Sequence, residues 1–101
     1  MTKLSVKLND DFVMVADEMP ISFKATSVPA GLIFEDSEMT VAILYSVTEE
    51  YGTRIIISFV SGFNSGILCN KDFPDIRHYD DQRIAEEVNA VLEAESMREL
   101  V

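Results

Sequence analysis

The stretch that decides the fold is MTVAILYSVTEEYGTRIIISFV, residues 39–60. Alternate residues of Met39–Val47 fall on the same side of an extended chain, because successive side chains of a strand point to opposite faces. Glu49–Gly52 predicts a turn, and Gly52 suits a left-handed backbone conformation. Arg54–Val60 then returns and is rich in β-branched residues, which favour strands. The stretch therefore predicts two long strands joined by a short turn.

The returning strand is apolar on both of its sides. Ile55, Ile57 and Phe59 make one dense face, while Ile56 and Val60 give the reverse side apolar character. An apolar run on both sides is typical of a strand that is buried on both faces. We therefore expect a central strand that is covered from above and below.

Shorter strands flank this pair. Alternating or apolar runs predict them at Leu4–Leu8, Phe12–Ala16, Ile21–Ala25, Leu32–Phe34 and Ile67–Cys69. Val28–Gly31 predicts a turn and Ser61–Gly66 a turn-rich loop, because proline and glycine favour such backbone geometry.

The C-terminal end predicts one amphipathic helix, from about Asp81 to the mid-nineties, with Asp80 or Asp81 as its N-cap. Its apolar stripe has helical spacing and comprises Ile84, Val88, Val91 and Leu92. The predicted fold is thus α+β: a small, mainly antiparallel sheet of five or six short strands with one C-terminal helix packed on it. Residues 1–101 form a single acidic domain in this interpretation.

The predicted core draws on the central strands and the helix. Its members are Val41, Ile43, Ile55, Ile57, Phe59, Ile84, Val88 and Leu92. One helix covers only one face of a sheet, so further apolar surface needs another cover. The first two predicted strands, which we expect to form a hairpin, could fold across as a second layer, or the sheet could curl toward a barrel. Alternatively, a second chain could cover the surface, which makes a homodimer a candidate assembly.

Composition restricts the partners and the compartment. The chain carries 18 Asp and Glu against 8 Lys and Arg, a formal net charge of −10. Direct binding to nucleic acid or to an anionic membrane is therefore not expected. The single cysteine, Cys69, excludes an internal disulfide and is expected to be a small buried residue. With no long apolar run and no secretory leader, the sequence predicts a cytoplasmic protein.

Catalytic and metal-binding patterns are weak. His78 is the one histidine, and with Asp75 and Asp80 or Asp81 it could form a general base or a metal site. No second histidine or nearby cysteine completes a ligand set. The sequence therefore predicts no catalytic residue, no metal and no cofactor. One alternative stays open: a small enzyme whose site forms at an oligomer interface near His78 and Tyr79.

The remaining functional feature is the distribution of acidic residues. The candidate partner-binding residues are Glu35, Asp36, Glu38, Glu49, Glu50, Glu86, Glu87 and Glu93. They predict a non-enzymatic domain that binds a basic protein, such as an inhibitor or nucleic-acid mimic of the kind that phages and mobile elements encode. The alternative is an acidic chaperone or immunity-type protein that holds a client. A mimic needs an array of carboxylates, whereas a chaperone needs an exposed apolar groove.

Overall fold

The structure is a computed structural model, and it describes residues 4–48, 52–73 and 81–94. Within these ranges the chain forms seven strands and then one helix. In chain order they are β1 (Ser5–Leu8), β2 (Met14–Glu18), β3 (Lys24–Val28), β4 (Gly31–Glu35), β5 (Met39–Thr48), β6 (Gly52–Ser61), β7 (Asn64–Phe73) and α1 (Asp81–Ala94). The predicted α+β fold with a C-terminal helix is confirmed, although the described strands number seven rather than five or six.

Five of the strands form one antiparallel sheet in the order β3-β4-β5-β6-β7. The pairing of β5 with β6 places Val41 opposite Phe59 and Ile43 opposite Ile57. Val41, Ile43 and Ile57 are fully buried, and Phe59 is half-buried against the core. We call the side of the sheet that carries these residues the inner face, and the opposite side the outer face.

A second layer lies against the inner face. β1 and β2 pair with each other as a separate two-stranded sheet, and the Ser27 hydroxyl of β3 donates a hydrogen bond of 2.9 Å to the carbonyl oxygen of Met14. Apolar residues from the hairpin, the helix and the inner face share one buried cluster: Leu4, Val6, Met14, Leu32, Phe34, Met39, Val41, Ile43, Ile55, Ile57, Cys69, Ile84, Ala85, Val88 and Leu92. The hairpin thus contributes a second layer, which is one of the three expected arrangements.

One side chain of the helix makes hydrogen bonds to the hairpin of the kind that the backbone of a neighbouring strand would make. The Asn89 amide accepts a hydrogen bond from the backbone N–H of Val6 at 2.8 Å and donates one to the Val6 carbonyl at 2.9 Å. Both groups belong to one residue of β1, and among the described strands β1 pairs with β2 alone. Asn89 therefore satisfies backbone groups that would otherwise be buried without a partner.

Two of the predicted strands begin later than expected. β2 begins at Met14 rather than Phe12, because the Asn9 side chain accepts hydrogen bonds from the N–H groups of Asp11 and Val13 and holds this segment in a turn. Phe12 accordingly has a left-handed φ of 58°. β3 begins at Lys24 rather than at Ile21, because the N–H of Phe23 donates to the Pro20 carbonyl and closes another turn.

The predicted loop at Ser61–Gly66 is wrong, because most of it is strand. β6 ends at Ser61, and β7 begins at Asn64 directly after a two-residue turn in which Gly62 has a φ of 62°. Gly66 lies opposite Phe59, and a Cβ atom there would come within 2.9 Å of the phenylalanine ring. The ring thus occupies the space that a side chain at residue 66 would need.

Among the described residues, the expected cover of β6 is found on one face only. β6 lies between β5 and β7, and the hairpin and the helix both pack on the inner side. On the outer face, Leu44 is 44% exposed and Val60 is 51% exposed. The apolar residues of the inner face are therefore largely buried, whereas those of the outer face remain partly exposed to solvent.

Replacing Ile57 with alanine should lower the free energy of unfolding by about 2–5 kcal/mol, because it leaves a cavity where a fully buried side chain was packed. Ile21→Ala is the matched control, since Ile21 is fully exposed; it should change the free energy by less than about 0.5 kcal/mol. Chemical denaturation measures both variants. Similar losses in the two would contradict the burial of Ile57.

Replacing Asn89 with alanine should lower the free energy of unfolding by about 1–3 kcal/mol, because two backbone groups of Val6 lose their partners. Gln82→Ala is a suitable control, since Gln82 is an exposed residue of the same helix. Chemical denaturation measures the loss, and amide hydrogen exchange should show faster exchange at Val6. Unchanged exchange at Val6 would show that the Asn89 contact is dispensable.

Candidate protein-binding site

The end of β4 and the turn that joins it to β5 carry three of the predicted partner-binding residues, Glu35, Asp36 and Glu38. The Asp36 carboxylate accepts hydrogen bonds from the N–H groups of Glu38 and Met39 at 2.8 and 2.7 Å, both on Oδ1. The Asp36 N–H also donates to the Met39 carbonyl at 2.9 Å. Aspartate commonly stabilises turns in this way, by replacing a backbone acceptor with its side chain. The turn therefore holds the Asp36 carboxylate in a defined position, with Glu38 two residues further along the chain.

A cavity of about 260 Å³ opens beside this turn. It is lined by Pro20, Ser22, Phe23, Asp36, Glu38, Met39 and Ser61. These residues come from the loop before β3, the β4–β5 turn with the first residue of β5, and the end of β6. We call this cavity the acidic pocket, because both of its ionisable lining residues are carboxylic acids.

The acidic pocket combines an apolar wall with negative charge. Phe23 packs against the hydrophobic core, and Met39 is itself buried. The volume lies just below the range of about 300–1,000 Å³ that is typical of small-molecule sites. Lysine and arginine side chains suit such a site, because their aliphatic stems pack on apolar surface while their charged ends reach polar groups.

The acidic residue at the end of β4 lies outside the acidic pocket. Glu35 is exposed and pairs across the strands with Lys24. Both residues alternate with the inward-facing Phe34 and Ala25, so they lie on the outer face. Glu49 and Glu50 lie outside the described residues. The structure therefore brings together Asp36 and Glu38 and separates Glu35 from them.

The predicted acidic surface of the helix is partly neutralised. Arg83 lies 3.9 Å from Glu86 and 3.0 Å from Glu87, at the spacings of three and four residues that bring side chains together on a helix. Glu93 is exposed near the end of the helix. Because a cation lies among these carboxylates, the helix presents a weaker negative surface than its acidic residues suggest.

Sequence reasoning missed the apolar half of the pocket. The sequence predicts Phe23 inside a strand and Met39 on one face of an alternating strand, and it gives neither residue a binding role. Neither Pro20 nor Ser61 carries a local signal of function. These residues lie far apart in the sequence, so only the packing of the loop against the sheet brings them to one site.

Cys69 occupies a structural position. Its side chain is buried, and its Sγ lies 3.6 Å from the carbonyl oxygen of Ile55. The expected burial is therefore confirmed. His78, Asp75, Tyr79 and Asp80 lie outside the described residues. In the ranges that are described, no three His, Cys, Asp or Glu side chains converge in a way that could hold a metal ion.

The outer face carries a well-formed ion pair. Arg54 and Asp72 lie opposite each other on β6 and β7, and the guanidinium donates from Nε to Oδ1 at 2.6 Å and from Nη2 to Oδ2 at 3.0 Å. This two-bond geometry, through the hydrogen bonds first and also through the attraction of charges, raises the pKa of Arg54 and lowers the pKa of Asp72. Both groups remain charged at neutral pH.

Comparison with known proteins gives no relative: no family model, no curated protein and no solved structure matches the chain. In the described part of the chain, no helix has both the length and the apolar character needed to cross a membrane.

The pKa of Asp72 should lie below the usual range for aspartic acid, and Arg54→Gln should return it to that range. The folded pKa is depressed, so the pair stabilises the fold above the ordinary aspartate pKa and loses this contribution as the pH falls through the folded value. An NMR titration of the Asp72 carboxyl carbon measures the midpoint. An identical midpoint in the wild type and the Arg54→Gln variant would contradict the pairing in solution.

Proposed function

We propose that this chain is a non-enzymatic protein-binding domain that receives a basic side chain of a partner protein in the acidic pocket. The supporting observation is the convergence of Asp36 and Glu38 with the apolar side chains of Phe23 and Met39. A lysine or arginine matches both parts of this lining. In this role Asp36 and Glu38 act only as hydrogen-bond acceptors and negative charges. Phe23 and Met39 act only as packing surface.

The overall charge and the local pocket have different roles in this proposal. The net charge of −10 attracts a basic protein from a distance and accelerates encounter. The pocket then gives one side chain a defined position. Asp36 uses Oδ1 in the turn, so Oδ2 can accept a hydrogen bond from the incoming cation. Charge-assisted hydrogen bonds of this kind are shorter and stronger than neutral ones.

An inhibitor is the version of this function that fits the acidic composition best. Occupying a basic site on an enzyme or a nucleic-acid-binding protein would block it. The nucleic-acid mimic is the narrower version and needs carboxylates spaced like phosphates. The ion pairs of Arg83 with Glu86 and Glu87 weaken that array on the helix, so recognition of an individual basic side chain is the better supported form.

The exposed apolar outer face is the observation that supports the alternative of an acidic chaperone or immunity-type protein. It requires a groove that accepts a client, whereas this surface is the open face of a sheet. The enzyme alternative depends on His78, which lies outside the described residues. A cytoplasmic location, and the exclusion of nucleic acid and membranes as direct partners, stay predictions from composition.

A capped tripeptide with a central arginine tests the pocket directly. An NMR titration of the backbone amides should show shifts concentrated at Ser22, Phe23, Asp36–Met39 and Ser61. The same peptide with citrulline, the uncharged analogue of arginine, should give far smaller shifts. Binding should weaken as salt is added, because the attraction between opposite charges is screened.

Paired variants separate the pocket from general charge. Asp36→Asn with Glu38→Gln removes two charges from the pocket and keeps the Asp36 Oδ1 acceptor; it should weaken binding of the arginine peptide about tenfold or more. Glu35→Gln with Glu93→Gln removes two charges elsewhere and should leave the affinity close to that of the wild type. Equal weakening in the two double variants would refute the pocket as the site.

A further inference from the structure

We propose that the outer face of the five-stranded sheet is the interface of a homodimer, on which a second copy of this chain packs face to face. This surface is distinct from the acidic pocket, whose Met39 and Ser61 belong to the inner side of the sheet. The inference therefore does not depend on the proposed function. Three properties of the face support it: its apolar content, its balanced charge and its area.

The outer face carries apolar side chains on four of its five strands, beside polar ones such as Ser58, which lies opposite Ile67. Leu44, Val60 and Ile67 are 44%, 51% and 62% exposed. The strand register places Leu44 opposite Ile56 and Ile33 opposite Ala42, and the side chains of Ile33, Ala42 and Ile56 are half-buried. The apolar set thus extends over β4, β5, β6 and β7. Large exposed apolar patches are uncommon on monomers and commonly mark interfaces.

The charges of the outer face sum to zero. Its charged strand residues, among those the structure describes, are Lys24 with Glu35 and Arg54 with Asp72, two cations and two anions. The whole chain, by contrast, has a net charge of −10. Two copies therefore repel each other over most of their surfaces, and the outer face is where they can approach with the least repulsion. A basic client would instead be drawn to the acidic surfaces elsewhere.

The area of this face suits a small dimer. β5, β6 and β7 each span ten residues, and β3 and β4 span five. At about 4.8 Å between strands and about 3.3 Å per residue, the sheet plane measures roughly 600 Å². Because side chains project from the sheet, its accessible area is larger than the area of this plane. The accessible area therefore approaches the roughly 800 Å² per partner of a standard interface. Sheets pack face to face in this manner in β-sandwiches.

The edge of the sheet is a less suitable surface for the second copy. β7 is the long edge strand, but its pairing with β6 contains a register shift between Ile57 and Ser58. It also carries Lys71 at an exposed position. Bulges and lysines on an edge strand disfavour pairing with another strand. The structure therefore favours face-to-face packing over extension of the sheet.

Sedimentation equilibrium of the full chain, from low micromolar to millimolar concentration, tests the dimer. The wild type should show a monomer–dimer equilibrium. In Leu44→Thr combined with Val60→Thr, the dimer dissociation constant should rise about tenfold or more, because a symmetric interface loses each apolar contact twice. Ile21→Thr is the matched control, since Ile21 is exposed but lies outside the sheet; its dissociation constant should equal that of the wild type.

Threonine is chosen because it is β-branched and tolerated on exposed strands, and thermal unfolding verifies that each variant folds. A second measurement needs no variant: methyl NMR signals of Leu44, Val60 and Ile67 should shift with protein concentration while those of Ile21 stay constant. Added salt should maintain or strengthen the dimer, because it screens the repulsion between two acidic copies.

A wild-type chain that stays monomeric at millimolar concentration overturns the proposal. So does a dimer that is unaffected by the double threonine variant, which would place the contact on another surface such as the β7 edge. Weakening of the dimer by salt would also overturn it, since that result indicates an interface held by opposite charges.

Discussion

The pairing of β5 with β6 is the constraint on which the rest of the structure depends. The two strands are aligned residue by residue from Met39 opposite Ser61 to Thr48 opposite Gly52. Because side chains alternate along a strand, a shift of one residue would move Ile43 from the core to the solvent. Gly52 adopts a left-handed φ of 79° at the beginning of β6, where another residue would be strained. The remaining strands of this sheet are added to the two edges of the pair.

This pairing also creates two faces with different physical roles. The hairpin and the helix cover the inner face, and Asn89 links them through the backbone of Val6. The outer face keeps apolar side chains but receives no cover from the described elements. Its charges are balanced, whereas the chain as a whole is acidic. Whether an apolar strand residue is buried thus depends on which side of the sheet the second layer covers. It does not depend on how hydrophobic the residue is.

Acidity acts at two length scales in this protein. Over long distances the net charge determines which surfaces can approach. At contact distance only particular carboxylates matter: Asp36 both stabilises the β4–β5 turn and lines the acidic pocket, whereas Glu86 and Glu87 lie beside Arg83. The same residue type therefore stabilises a turn, lines a pocket or pairs with a cation according to its neighbours.

The sequence by itself determined the features that depend on local periodicity: the alternation of β5, the apolar face of β6 and the helix Asp81–Ala94. It also determined the burial of Cys69, which follows from the residue type. Such patterns are visible because neighbouring residues repeat every two or every 3.6 positions. Only the tertiary structure decided where β2, β3 and β7 begin, which face of the sheet is covered, and that Phe23 and Glu38 line one pocket. These features depend on turn hydrogen bonds and on contacts between segments distant in the chain, and no local pattern records which distant segments meet.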